Sequence, residues 1–182
     1  SYTVRGGGID VTLNVAARGG NALAGGIDGE GTGGNGGGVA LYIGENTWWY
    51  AVVGDYSRSL TFTGGLDLAG GSSRNAPGTG YARGGYLTGY GYDAVTVTSA
   101  VNAPGARDLG AEGIGGDGGS VYLESYLDDT LAKVGLVGTG GYGASRGGYG
   151  GAFRAFGVNV TQQGAINVKG GSANAGLEGS VG

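Results

Sequence analysis

An all-β fold is predicted: a parallel β-solenoid of stacked repeats, with a layer of polyglycine-II-like arms along one side. Three observations carry it. Glycine fills 49 of the 182 positions, and in stretches such as Gly110, Gly113, Gly116 and Gly119 it recurs at every third residue, the period of an extended helix without internal hydrogen bonds. Between these stretches, short runs alternate apolar and polar residues with the period of two expected of half-buried strands. Finally, one pattern is written five times along the chain, which marks a repeat array.

Taken in order, the first copy reads YTV-R-GGG-IDVTLNVAARGG over 2–20 and is read as two strands, b and c, with no strand a ahead of them. The same pattern returns as LTFT-GG-LDLAGG (60–71), VTVT-S-AVNAPG (95–105), LAKV-GLVGTGG (131–141) and VNVT-QQG-AINVKGG (158–171). A tight corner is expected between b and c, and Leu60/Phe62, Val95/Val97 and Val158/Val160 are expected to form continuous core rows. After c comes a glycine-rich arm, and four of the arms feed a further alternating strand a: Val39 to Ile43, Tyr86 to Tyr90, Val121 to Glu124 and Ala152 to Phe156. The chain thus reads as one repeat domain, 1–182, in units of about 1–37, 38–84, 85–118, 119–150 and 151–182.

A unit of three short strands cannot cover its own apolar face, so stacking of counterparts is required, with a right-handed coil by the crossover rule. The alternative is a glycine-rich antiparallel β-sandwich. Collagen is excluded by the presence of only 2 prolines. Disorder is opposed by 40% apolar residues, 13% charged residues and regularly placed aromatics.

Composition also narrows function. A net charge of −4 with scattered Lys and Arg lacks the basic face that nucleic acid requires. No run approaches the roughly 18 apolar residues of a membrane helix. His, Cys and Met are all absent, which suits an extracellular or cell-surface location exposed to oxidants. Without His, Cys or clustered carboxylates, no catalytic site, metal site or cofactor is expected. The runs GGNGGGVAL (33–41) and GGDGGSVYL (115–123) share the glycines of the calcium-binding nonapeptide of RTX repeats, but Gly38 and Ser120 stand where its ligating aspartate belongs. No G-x-G-x-x-G fragment sits between a strand and a helix, so no nucleotide site is expected.

Two groups of residues are candidates for function. The insertion from Glu45 to Arg58 carries Trp48, Trp49, Tyr50 and Tyr56, and Tyr90 and Tyr92 lie in a tyrosine-rich turn; flat amphipathic rings of this kind stack on sugars or anchor protein contacts. The other group is the chain ends. GSVG, comprising Gly179, Ser180, Val181 and Gly182, repeats the opening of strand a in GSVY (119–122), so the pattern would continue into Ser1, Tyr2, Thr3 and Val4 of another copy. Open strand edges without a polar cap favour head-to-tail contacts, and contacts that do not close make filaments.

The segment GGDGGSVYLES with Tyr126, Leu127, Thr130 and Leu131 resembles the glycine-rich N-terminal domain of Obg-type GTPases, which implies polyproline-type glycine helices on a small β-domain; no P-loop accompanies it, so no GTPase activity is implied. Glycine-rich arms alternating with aromatic loops are similar to the receptor-binding tip adhesins of phage tail fibres, and the repeated b-c-arm pattern resembles repetitive glycine-rich bacterial surface proteins. The leading expectation is therefore an extracellular, non-enzymatic structural protein whose partner is itself, forming a filament. An adhesin binding a glycan or a cell-surface protein through the aromatic residues is the alternative. Ice binding by a flat face of Thr61, Thr63, Thr96, Thr98, Asn159 and Thr161 comes third.

Overall fold

The computed structural model describes residues 2–6, 9–21, 33–43, 59–73, 81–110 and 112–173. The strands are Tyr2–Gly6 (β1), Ile9–Thr12 (β2), Val15–Ala16 (β3), Gly38–Ile43 (β4), Leu60–Asp67 (β5), Tyr86–Gly91 (β6), Val95–Asn102 (β7), Ser120–Ser125 (β8), Thr130–Val137 (β9), Ala152–Phe156 (β10), Val160–Gln162 (β11) and Ile166–Asn167 (β12). No helix occurs among the described residues. One sheet has five strands in the order β1-β4-β6-β8-β10; the other runs β11-β9-β7-β5-β2, with β3 on β5 and β12 on β9. Every strand pairing is parallel. The class is all-β with two parallel sheets, and the antiparallel sandwich is not what forms. Parallel neighbours need long crossovers; here each crossover passes through the other sheet and a glycine-rich arm.

The chain descends through five levels, each holding one strand of the first sheet and the matching strand of the second. Register is constant: Val39, Leu87 and Val121 share a row in the first sheet, and Leu60, Val95 and Thr130 share one in the second. Alternation sends one face of each sheet inward, where Val39, Leu87, Val121, Leu60, Phe62 and Val97 join a single buried cluster. Burial of each such side chain contributes about 1.5–3 kcal/mol. Gly89 breaks its row for want of space: a Cβ there would come within 2.9 Å of Leu60 Cδ2 and 3.1 Å of Leu123 Cδ2.

Three expectations are corrected by the register. Strands b and c are not joined by a corner in the middle levels, because β5, β7 and β9 each run straight through eight residues. Gly64–Gly65 continues the strand there and is not a turn: Gly64 has a φ of +157°, which residues with side chains rarely adopt, and a side chain on it would also collide with the carbonyl of Leu13 in the neighbouring level. Next, Tyr2–Gly6 pairs with β4 and so occupies the position of strand a. Finally, Val160 and not Val158 stands in the row of Leu60 and Val95. Val158 lies at the turn from β10 to β11, where its amide bonds to Asp128 O at 3.0 Å.

Beyond the second-sheet strands lie glycine-rich limbs, and among the described residues these bond laterally. Gly171 N donates to Gly148 O, Gly148 N to Gly141 O, Gly141 N to Gly116 O, Gly116 N to Ala106 O and Ala106 N to Ala82 O, all at 2.8–3.0 Å. Return limbs also bond to each other, as Gly84 N to Asp117 O and Gly118 N to Tyr149 O show. Glycine is what permits this approach: a Cβ on Gly116, Gly118 or Gly141 would land on a neighbouring carbonyl oxygen.

Candidate functional site

The strands place three features on the surface. Outward residues of the first sheet form an aromatic row. Tyr42 of β4 stacks on Tyr90 of β6 with ring centroids 5.2 Å apart and planes 11° from parallel. Tyr90 meets Tyr122 of β8, and Tyr122 meets Phe156 of β10, each at 5.4 Å and more tilted. The rings therefore spend their faces on one another. The Tyr122 hydroxyl donates to Glu124 Oε2 at 2.6 Å. That bond, with burial and the carboxylate charge, pushes the Tyr122 hydroxyl up to about 12. Tyr90 is raised as well, by burial first and then by Tyr42 and Glu124. Phe156 closes the row with 48% of its surface exposed.

The passages between the sheets form a second feature. Tyr126 N bonds to Gly91 O and Leu127 N to Tyr92 O, so successive turns align, and Tyr92 packs on Tyr126 at 5.4 Å. Tyr126, Leu127 and Val158 are 61%, 51% and 67% exposed, making an apolar ridge along this corner. On the arms, Arg83, Arg107 and Arg146 lie over the rings of Tyr81, Tyr142 and Tyr149.

The third feature is the pair of outermost levels. Residues facing the core are fully buried in the middle levels, but Val11, Leu13, Val15 and Ala17 at one end and Phe153, Ala155, Ile166 and Val168 at the other are only partly covered. Val160, in the row of buried Leu60 and Val95, is 45% exposed. The outermost strands β1 and β10 each have one sheet neighbour among the described residues.

Side chains also tie the levels together in a way the sequence reading missed. Asn14 Oδ1 accepts from Gly65 N, Asn21 Oδ1 from Ser72 N, Asn35 Oδ1 from Arg83 N and Asp117 Oδ1 from Tyr149 N, at 2.6–3.0 Å. Each links one level to the next. At Asn21, Asn35 and Asp117 a short polar side chain beside glycine was the available signal, whereas Asn14 sits between Leu13 and Val15 with none.

Among the expected candidates, Tyr90 and Tyr92 are placed in the aromatic row and the corner ridge, where both rings are already engaged. Trp48, Trp49, Tyr50 and Tyr56 lie outside the described residues, as do Ser1, Gly179, Ser180, Val181 and Gly182. Tyr2, Thr3 and Val4 are on edge strand β1. The threonine face is short: Thr61 aligns with Thr96 and Thr63 with Thr98, but the rows continue into Leu131 and Lys133 on one side and Asp10 and Thr12 on the other. Thr161 falls beside Leu131, and Asn159 lies off these rows, its Nδ2 donating to Asp129 Oδ1 at 2.8 Å. Among the described residues, no cluster of three or more acidic side chains is placed to hold a metal ion. No family model matches the chain, and neither a curated protein nor a solved structure does.

Proposed function

We propose that the chain is a non-enzymatic structural module of the extracellular space: a β-solenoid, each level one coil, braced by a polyglycine-II-like layer of arms and extended end to end by further copies. The observation that carries this reading is the half-covered apolar rows at both outermost levels. Solenoid stability is a sum over neighbouring repeats, and uncapped terminal repeats leave apolar surface and strand edges to be covered. The absence of Cys and Met from the sequence fits a long-lived extracellular role. Sedimentation velocity over a concentration series tests it, with negative-stain microscopy of the same samples. The expected result is a sedimentation coefficient that rises with concentration and rods of constant width; a single monomeric species throughout would refute it.

A second reading, an adhesin for a glycan or a cell-surface protein, is favoured by the exposed corner ridge of Tyr126, Leu127 and Val158. Tyr126→Ala would then abolish ligand binding and leave sedimentation unchanged.

A further inference from the structure

We infer that the surface formed by β10, β11 and β12 receives β1, β2 and β3 of a second copy, in parallel and in the register used inside the molecule. This rests on the end-to-end reading above and specifies its joint. Rows run through Tyr2, Val39, Leu87, Val121 and Phe153 in the first sheet, and through Ile9, Leu60, Val95, Thr130 and Val160 in the second. Carried one level further, they set Tyr2 of the second copy opposite Phe153, Thr3 opposite Arg154 and Arg5 opposite Phe156. In the second sheet Ile9 falls opposite Val160 and Val15 opposite Ile166.

Three observations favour a second copy as the occupant. Both end surfaces present half-covered apolar residues at matching rows: Val15 and Ala17 on one, Ile166 and Val168 on the other. The outermost levels are also the two whose long strand is divided, into β2 and β3 at one end and β11 and β12 at the other. The divisions fall at equivalent rows, Leu13–Asn14 and 163–165, so two such surfaces match in outline as well as in apolarity. Hydrogen-bond polarity agrees. Leu68 N donates to Asn102 O, Ala103 N to Val137 O and Gly138 N to Asn167 O; one level on, Val168 N meets the Ala16 carbonyl of the second copy.

The sequence contains no cysteine, which gives a clean test by cross-linking. Register partners on adjacent parallel strands lie about 4.8 Å apart, within the roughly 4.4–6.8 Å that a disulfide spans. A partner two residues along is about 8 Å away, outside that range. Thr3→Cys protein mixed with Arg154→Cys protein is oxidised, alongside an offset mixture of Arg5→Cys with Arg154→Cys, after circular dichroism shows each reduced variant folded as the parent. The expected result is a covalent heterodimer formed at least about tenfold more in the first mixture than in the second. If the parent assembles but the offset mixture cross-links equally well, or neither cross-links, the register is wrong and end-to-end growth stands. Covalent dimers from Arg154→Cys protein alone would mean that like ends meet, which also overturns the proposal. If the parent sediments as a monomer and no mixture cross-links, the end-to-end reading itself fails.

Discussion

Substituting alanine at Gly116 separates a packed glycine lattice from a merely flexible glycine-rich chain. Gly116 N donates to Ala106 O at 2.9 Å, Gly116 O accepts from Gly141 N at 2.8 Å, and Ala106 N donates to Ala82 O at 3.0 Å. A Cβ on Gly116 would land on the Ala82 carbonyl and lie 2.8 Å from Ala106 N. The limbs must part until these bonds are lost. At about 1 kcal/mol net for each of the three bonds, the loss is about 3 kcal/mol. The lower entropy of the unfolded alanine chain offsets about 0.4–1 kcal/mol of this, leaving a net destabilisation of about 2–3 kcal/mol. The matched control is Gly20→Ala, since nothing among the described residues lies within 4 Å of a Cβ at Gly20; it is expected to be neutral or to stabilise by up to about 1 kcal/mol. Urea unfolding followed by circular dichroism on dilute protein reads both. Equal effects of the two substitutions, or a Gly116→Ala protein within about 0.5 kcal/mol of the parent, would refute the lattice.

Other outcomes follow from the same geometry. Tyr122 titrates in the folded chain at about 12, above the ordinary value near 10, so its contribution to stability is intact below pH 10 and is lost as pH rises towards 12; Glu124→Gln should flatten that loss, read by urea unfolding at stepped alkaline pH and by tyrosinate absorbance. Asp67 is held low by the hydrogen bond from Arg18, whose Nε lies 2.6 Å from Oδ2. Its contribution is present above the ordinary carboxylate range and fades as pH falls through its lowered value, and because the pair is exposed, Arg18→Ala should lower the urea midpoint only slightly at low salt and not measurably in high salt. Phe62 is fully buried, so Phe62→Ala should cost about 3–5 kcal/mol by urea unfolding. Ser99 Oγ is buried without a hydrogen-bond partner among the described residues, so Ser99→Ala should raise stability by about 1 kcal/mol in the same assay.

Alternation at Leu60/Phe62 and Val95/Val97 was enough to read strands, their buried face and the need for stacking, because apolar period two has few other meanings. The interval of three in the glycines likewise pointed to close lateral packing. What could not be read was continuity. Gly64–Gly65 looks like a turn, yet glycine can also continue a strand at a φ of +157°, and only pairing with β7 decides between the two. The start of the array was misjudged for a related reason: Tyr2–Gly6 resembles strand b by pattern, and only its pairing with β4 identifies it. The aromatic row was legible only in part. Tyr90 stands out in the sequence, but Tyr42, Tyr122 and Phe156 are brought to it by register, which exists only once strands are side by side.

If copies stack end to end as proposed, that register fixes how the resulting fibres would behave under X-rays. Strands running across the long direction at about 4.8 Å intervals give the meridional reflection used to diagnose amyloid. Aligned samples would therefore diffract as cross-β while every molecule in them kept its native fold. Dye-binding or diffraction screens would score such a sample as misfolded, and only its dissolution on dilution would tell the two apart.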